Sequence, residues 1–568
     1  MIENMTKSSM LHNHLRGYWT ILLTITSFLI VLFMFASKCY RANDQHFVYT
    51  LDDPYIHMAI AKNLVLYGNW GVTPEYFSSS SSSLGWTLLL AGYYFLFGIS
   101  EFAPFFLNGI AAIGCLWYVF QFGQKYHLHP IHNLITQIVF VLFVPLIPVI
   151  FTGMEHTLHI FLMLMLIYQV LEVFSQNMMR GELLSIKTIS FLMTASLVVM
   201  IRYESLFLLG MLIGVAIWRK RYLLGISIAI FSLAPVIIFG LISLVHHHYF
   251  LPNTLMVKGH FPNVTSLKSI IYSFGYASLK ILSTQNTHLL VLIIVTLLIY
   301  IIRYNIFSYN ESRQYLLIGI VIVSLLHGQF ASTGWFYRYE AYIMALGIVA
   351  ISISLDELIK QKLTILQSYH NKLESIPKIL SIVLLLIFCI LPLSTRGNLA
   401  LRLILPATKN IYEQQYQMGR FFTRYYRTAS IAANDIGAIS FFATPSYLLD
   451  FWGLGSIELT RAIRNQKERK QLVAKLAREH HVQFAVVYAD QVKSIPKEWI
   501  KIGTWTIQNN VVCAGNTVTF FVVDFNKIAY ALQALREFSK DLPPSVIEGG
   551  WYVADKEFLR WVFNSPQL

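Results

Sequence analysis

Two adjacent acids, Asp52 and Asp53, stand before Pro54 and His57 in the segment LDDPYIH. Neighbouring carboxylates suit general acid–base work, in which one of them takes the proton of an attacking hydroxyl. Pro54 fits the first position of a helix and Asp53, just before it, fits the N-cap, which leaves Asp52 without a local duty and free to accept a proton. The competing reading makes both acids solvated loop residues. The helix is expected to run to Tyr67, stop at Gly68, and lie in a membrane interface on the face of Ile56, Ile60, Leu64 and Tyr67.

Other candidate groups recur at the ends of apolar runs. Glu155 and His156 in TGMEH either cap a helix or serve a ligand. His156 and His159 have an i, i+3 metal spacing but no third ligand nearby. Arg202 and Glu204 in IRYES read as a rim ion pair, costly enough to suggest function, with a structural pair as the alternative. The three consecutive histidines His246 to His248 cannot converge on one metal from one helix, so they read as interfacial. Asn253 and Lys258 follow in PNTLMVK. Arg338 sits among Trp335, Phe336 and Tyr337, where it can hold two phosphate oxygens or pair with Glu340. By composition alone the serine run Ser78 to Ser83 is a flexible linker.

The elements that must position these groups lie in a membrane. Of 568 residues 56% are hydrophobic and only 13% charged, with a mean hydropathy of +0.56. That balance excludes an ordinary soluble enzyme, a disordered chain, a collagen and a coiled coil. The expected fold class is a polytopic α-helical membrane protein. Apolar runs fall at 18–37, 103–122, 133–151, 156–174, 188–201, 204–218, 223–245, 288–302, 314–331, 340–356 and 377–394. A twelfth, 84–98, is read as re-entrant or juxtamembrane, because a full crossing would turn the basic Arg219-Lys220-Arg221 loop outward, against the positive-inside tendency. About eleven spans then place both the 38–83 loop and residues 395–568 outside the cytoplasm. The first run reads as a signal anchor.

The chain divides into a multi-pass part, 1–394, and an outer part, 395–568, whose short apolar runs suggest a small α/β domain. Strands are expected at 429–433, 438–443, 447–452, 483–488 and 518–524, and helices at 458–464, 466–480 and 527–539. The net charge of +14 invites a nucleic-acid reading. The tail's basic residues are scattered, however, and no RNA-binding signature accompanies them, so nucleic acid drops out in favour of lipid headgroups or an anionic glycan. Four cysteines make no disulfide framework, and Cys39 and Cys513 meet only if the fold brings them together. No phosphate loop, GxSxG elbow or HExxH motif occurs.

The order of motifs resembles a family. DDPYI, AKNL, a serine-rich step and LGWTLLLA, then TGMEH, IRYES, YFLPNTLMVKG, AANDIGAISFF and LLDFWGL, resemble GT-C glycosyltransferases that use polyprenyl-phosphate sugars. The nearest resemblance is to the mycobacterial terminal arabinofuranosyltransferases and their bacterial relatives. YRYEAY departs from the relatives' arginine-aromatic run ending in prolines, and IRYES lacks their proline. The resemblance implies an inverting membrane enzyme that moves a sugar from a polyprenyl-phosphate donor to a glycan, lipid or protein acceptor outside the cytoplasm. In that reading Asp52 is the base, Asp53 shares that role or orients the acceptor, and Lys258, Arg202 and Arg338 face the departing phosphate. Glu155, His156, Glu204 and Asn253 complete the expected binding set. A divalent metal is left open, since related families differ in needing one. The alternatives are a flippase or transporter of lipid-linked glycans, or an O-antigen polymerase or ligase. A transporter, though, calls for midplane charges and repeat symmetry that are not evident.

Overall fold

The computed structural model describes residues 2–174, 185–258, 266–283, 286–306, 311–366, 376–462 and 466–554. Helix α1 (Ile2–Ala42) leads into α2 (Asp53–Tyr67) and α3 (Leu84–Phe97). A bundle follows: α4 (Ala103–Lys125), α5 (Pro130–Phe143), α6 (Leu146–Phe151), α7 (His156–Val173), α8 (Ile186–Ile201), α9 (Ser205–Trp218) and α10 (Tyr222–Val245). Short α11 (Asn253–Lys258) and amphipathic α12 (Leu267–Leu282) precede α13 (Thr287–Ile306), α14 (Glu311–Phe330), α15 (Ala341–Leu366) and α16 (Ile376–Ile411). Among the described residues, Gly17–Ala42, Ala103–Lys125, His156–Val173 and Tyr222–Val245 are long and apolar enough to cross a bilayer, with shorter apolar helices packed beside them.

Hydrogen bonds identify the two ends of the bundle. At the far end Arg219 and Arg221 donate to the carbonyls of Phe174 and Val173, and His132 meets Asp356 at 3.3 Å. At the site end the amide of Thr50 donates to the carbonyl of Phe151. Helix α3 starts and finishes at this site end. The hydroxyl of Ser82, just before it, reaches Glu155, and the carbonyl of Glu101, just after it, accepts from the Tyr49 hydroxyl at 2.6 Å. The run expected at 133–151 is two helices, because Pro145 has no amide to continue the ladder.

Helix α16 runs without interruption through residues 394 and 395, and a wide turn over Tyr412–Tyr416 joins it to α17 (Gln417–Tyr425). Beyond lies a six-stranded sheet of β1 (Ile431–Ala433), β2 (Leu448–Asp450), β3 (Phe484–Val487), β4 (Ile500–Thr506), β5 (Thr517–Val522) and β6 (Ile547–Gly550), in the order β2-β1-β3-β5-β4-β6. The β1–β2 and β1–β3 pairs are parallel and the others antiparallel. Helices α18 (Gly437–Phe442), α19 (Ile457–Arg461), α20 (Gln466–Glu479) and α21 (Ile528–Phe538) complete it. Phe421, Phe484, Trp505, Phe520 and Phe538 pack one face.

Several expectations change here. Of residues 438–443, read as a strand, all but Ala443 lie in α18, since a short apolar run does not distinguish helix from strand by period. Strands β4 and β6 carry glycines and charges that hid them. The helix expected at 458–464 is α19, which ends at Arg461, and the one expected at 466–480 is α20; residues 463–465 lie outside the described ones. Cys39, Cys115 and Cys513 are free thiols.

Candidate active site

Helix α2 carries the site. Tyr55, Met58, Ala59 and Ala61 pack into the membrane bundle, while Ile56 and Ile60 pack against the sheet domain. The helix is therefore buried between the two parts and does not lie on a lipid interface as expected. Only its last turn reaches the surface, with Tyr67 51% exposed. A helix apolar on several sides suits two partners rather than one.

The two acids divide their work differently from the sequence reading. Helix α2 begins at Asp53, and Asp52, at its N-cap, makes no side-chain cap on it. The Asp52 carboxylate instead accepts from the amides of Gly437 (2.7 Å) and Ala438 (2.8 Å), the first residues of α18. Any Cβ at Gly437 would stand about 2.7 Å from that carboxylate oxygen, so the contact requires glycine. Burial, then the neighbouring Asp435, push the Asp52 carboxyl up to about 8, against the pull of the two amides. Asp435 is also raised by burial, although Gln415 (2.7 Å) and the Tyr488 hydroxyl (2.9 Å) donate to it. Asp53 turns the other way, and its carboxylate meets a guanidinium nitrogen of Arg338 at 2.7 Å. A residue's capping duty can thus lie on a helix nearly four hundred positions away, which local spacing does not disclose.

Arg338 is presented by an unusual turn. Gly334, Trp335, Phe336 and Tyr337 all have positive φ, from 47° to 91°. Three non-glycine residues in that region cost on the order of 1–3 kcal/mol each, which the surroundings must offset. Glu340 anchors the turn: it accepts from the Gly334 amide at 3.3 Å and is met by His288 (3.1 Å) and Arg396 (3.7 Å). Arg396 also donates to the Tyr337 carbonyl. The Arg338–Glu340 pair considered from sequence does not form. Arg338 is 3% exposed, bonds Asp53 and the Tyr339 hydroxyl through one nitrogen, and leaves Nε and Nη1 without a partner among the described residues.

Arg202 is differently committed. It forks onto Glu204 and reaches Glu155 at 2.8 Å, so all three of its nitrogens are engaged by carboxylates. Tyr339 lies between the two guanidiniums, 4.8 Å from that of Arg338 and 5.5 Å from that of Arg202. His57, not singled out as a site residue from sequence, links α2 to this group. Its Nδ1 meets Thr87 and its Nε2 meets Ser82, with Glu155 at 3.9 Å. His156 packs edge-on to Tyr339, and neither of its ring nitrogens has a partner among the described residues. His159 meets the Ser205 hydroxyl at 2.8 Å. Among the described residues no three potential metal ligands gather.

The serine run is not a flexible linker. All but Ser82 of Ser78 to Ser83 are buried, and Ser81 bonds both His57 and Thr87. Hydroxyls that satisfy neighbouring polar groups make such a segment rigid, a property composition does not report. Asn253 bonds Ser79 through its amide and the Leu454 carbonyl through its side chain. The side chain of Lys258 lies outside the described residues.

These groups surround a cavity of about 390 Å³, lined by Asp53, His57, Ser82, Arg202, Glu204, Thr254, Arg338 and Tyr339 at its polar end and by Leu206, Phe207, Val236, Leu251 and Phe330 at its apolar end. Leu206 and Phe207 also open an apolar groove of about 520 Å³ between α9 and α14. One wall presents Gly210, Met211, Gly214 and Trp218, and the other Tyr315, Ile318, Ile322 and Leu326. Both sets recur every three or four residues, so each is one helix face. A Cβ at Gly210 or Gly214 would meet nothing within 4 Å.

The fold has a solved counterpart. The crystal structure of ArnT from Cupriavidus metallidurans bound to undecaprenyl phosphate superposes with a TM-score of 0.51 over 87% of this chain and 98% of its own, at 12% sequence identity. The Archaeoglobus fulgidus oligosaccharyltransferase aligns over 86% of this chain and 73% of its own, at 10% identity and a TM-score of 0.44, too distant to carry an argument. A family model described as Domain of unknown function (DUF8728) matches residues 409–521. No curated protein matches by sequence. The chain shares the fold of the ArnT structure over most of its length.

Proposed function

We propose that the protein is a membrane glycosyltransferase that moves a sugar from a polyprenyl-phosphate donor to an acceptor hydroxyl outside the cytoplasm, with inversion at the anomeric carbon. The observation that carries this reading is Arg338: a buried guanidinium with two unpartnered nitrogens, in a cavity that continues into an apolar groove. A guanidinium so placed suits two phosphate oxygens at once. The groove on α9, about 20 Å long for 14 residues, suits the isoprenoid chain beside it. The ligand of the ArnT structure, undecaprenyl phosphate, has that same combination of charge and tail.

In the proposed step Asp53 takes the acceptor proton. The acceptor oxygen bonds the anomeric carbon as the bond from that carbon to the phosphate oxygen breaks, and polyprenyl phosphate leaves with its charge held by Arg338. Asp53 rather than Asp52 is assigned as the base because it lines the cavity, whereas both oxygens of Asp52 are occupied by α18 amides. Asp52 is then a positioning residue. Arg202, held by Glu155 and Glu204, shapes the wall through Tyr339. In this reading eleven passes cross the membrane, and both the 38–83 loop and the sheet domain face outward.

The test is incubation of the purified protein in lipid nanodiscs with a panel of polyprenyl-phosphate sugars, scoring release of polyprenyl phosphate and transfer to water or glycan. Turnover of at least one donor, lost in Asp53→Asn, is expected. Undecaprenyl phosphate that fails to bind at all would overturn the reading.

A further inference from the structure

A second cavity, of about 320 Å³, lies behind the first, between the 38–83 loop, the His246–His248 turn and the sheet domain. Its walls are aromatic and hydrogen-bonding together. Phe77 stacks flat on His246 at 4.3 Å and 6°, and Tyr447 stacks flat on His480 at 3.7 Å and 5°. Tyr76, 46% exposed, stands edge-on to Tyr447. Thr73, Glu75, Glu458 and Arg461 supply donors and acceptors around these rings.

Only a thin partition separates this space from the Arg338 cavity. Ser78, His248 and Gly455 line the one, and Ser80, Leu251 and Leu454 line the other. The Leu454 carbonyl ties the partition together, accepting from the Ser80 hydroxyl (2.8 Å) and the Asn253 amide nitrogen (3.1 Å). Within it the Ser79 hydroxyl and the Asn253 carbonyl oxygen are buried without a partner among the described residues. Such groups are costly unless something meets them.

We infer that this second cavity is the subsite for a sugar ring of the acceptor. Flat aromatic faces take the C–H face of a pyranose or furanose, and interleaved carboxylate, guanidinium and hydroxyl groups take its hydroxyls. Its volume is at the small end for a ligand site, which suits one or two sugar rings. A ring seated here is divided by the partition from the cavity lined by Asp53, so it is a ring of the acceptor glycan other than the one whose hydroxyl reacts. The inference rests on the glycosyltransferase reading.

Saturation-transfer NMR on the full-length protein in nanodiscs, with methyl glycosides of galactose, mannose, glucose and arabinose as probes, tests it. At least one probe should bind, and Tyr76→Ala and Phe77→Ala should weaken it about tenfold, the size of a lost aromatic contact. Arg338→Ala should leave it unchanged. Absence of binding by every probe, or binding indifferent to Tyr76 and Phe77, overturns the subsite. Undecaprenyl phosphate affinity, measured on the same samples, separates the two readings: kept affinity with no sugar binding sinks only the acceptor subsite, while absent affinity overturns the glycosyltransferase reading and leaves any sugar binding as that of a cavity with another role.

Discussion

Asp52, just before α2, and Lys62, within it, hold opposite ends of another helix. Asp52 accepts from the first amides of α18, at Gly437 and Ala438. The buried Lys62 ammonium donates to the carbonyls at its other end, Ser440 (3.2 Å), Phe441 (2.5 Å) and Ala443 (3.1 Å). Both ends of α18 are thus met by side chains of one segment, and these hydrogen bonds join the sheet domain to the first outer loop. The docking that places Asp53 in the cavity is thereby encoded in that segment itself.

Lys62→Met would leave those three carbonyls without their donor. Hydrogen bonds to a charged group contribute roughly 1.5–3 kcal/mol, so the docking should weaken by about that amount. Hydrogen exchange at residues 437–443 should accelerate by one to two orders of magnitude while α4 and α7 stay protected. Unchanged exchange in α18 would show that the clamp contributes nothing.

The pH dependence of docking follows from Asp52. Its folded carboxyl is raised from 3.8 to about 8, so the folded state binds the proton more tightly than the unfolded one. The stability this contributes is complete below about 4 and is lost as pH rises through 8. Lys62, lowered by burial to about 8, acts in the opposite direction only above that pH. Thermal unfolding of the wild type between pH 5 and 8 should therefore show falling stability, and Asp52→Asn should flatten the slope. An unaltered slope in the variant would assign it to another group.

The two acids should separate kinetically. Asp53→Asn should lower turnover by about 10²–10⁴-fold with donor affinity largely kept, the range for a lost general base. Asp52→Asn should retain most of the rate per folded molecule. Single-turnover assays on both variants decide this; the reverse order would restore Asp52 as the base.

Arg338→Ala should weaken undecaprenyl phosphate binding about ten- to hundredfold, the size of one or two charge-assisted hydrogen bonds. Arg338→Lys should recover only part, because an ammonium cannot fork. Glu340→Ala should chiefly lower thermal stability, since it releases the buried His288 and Arg396 that hold the turn. Isothermal titration with all three variants would show equal affinities if Arg338 were merely structural.

The orientation is open to cysteine labelling. Glu75→Cys and Asp490→Cys occupy exposed positions of the first loop and the sheet domain, and both should react with a membrane-impermeant maleimide on intact spheroplasts. Trp218→Cys, at the far end and 81% exposed, should react only after lysis. Labelling of Asp490→Cys only after lysis would turn the sheet domain inward.

What the sequence determined by itself is the membrane class and the cast of charged groups. Apolar runs of bilayer length announce themselves through composition, and charges such as Arg202, Glu204 and Arg338 stand out because burial at a rim is costly. Tertiary structure decided which charge serves which. Asp52 finds its amides at Gly437 and Ala438, Arg338 takes Asp53 rather than the nearby Glu340, and the serine run is ordered by His57 and Thr87. Each partner is distant in the chain or competes with a nearer one, and the outcome rests on desolvation and packing, which only the assembled helices create. Spacing reports neighbours along one helix; it does not report a second helix laid against it.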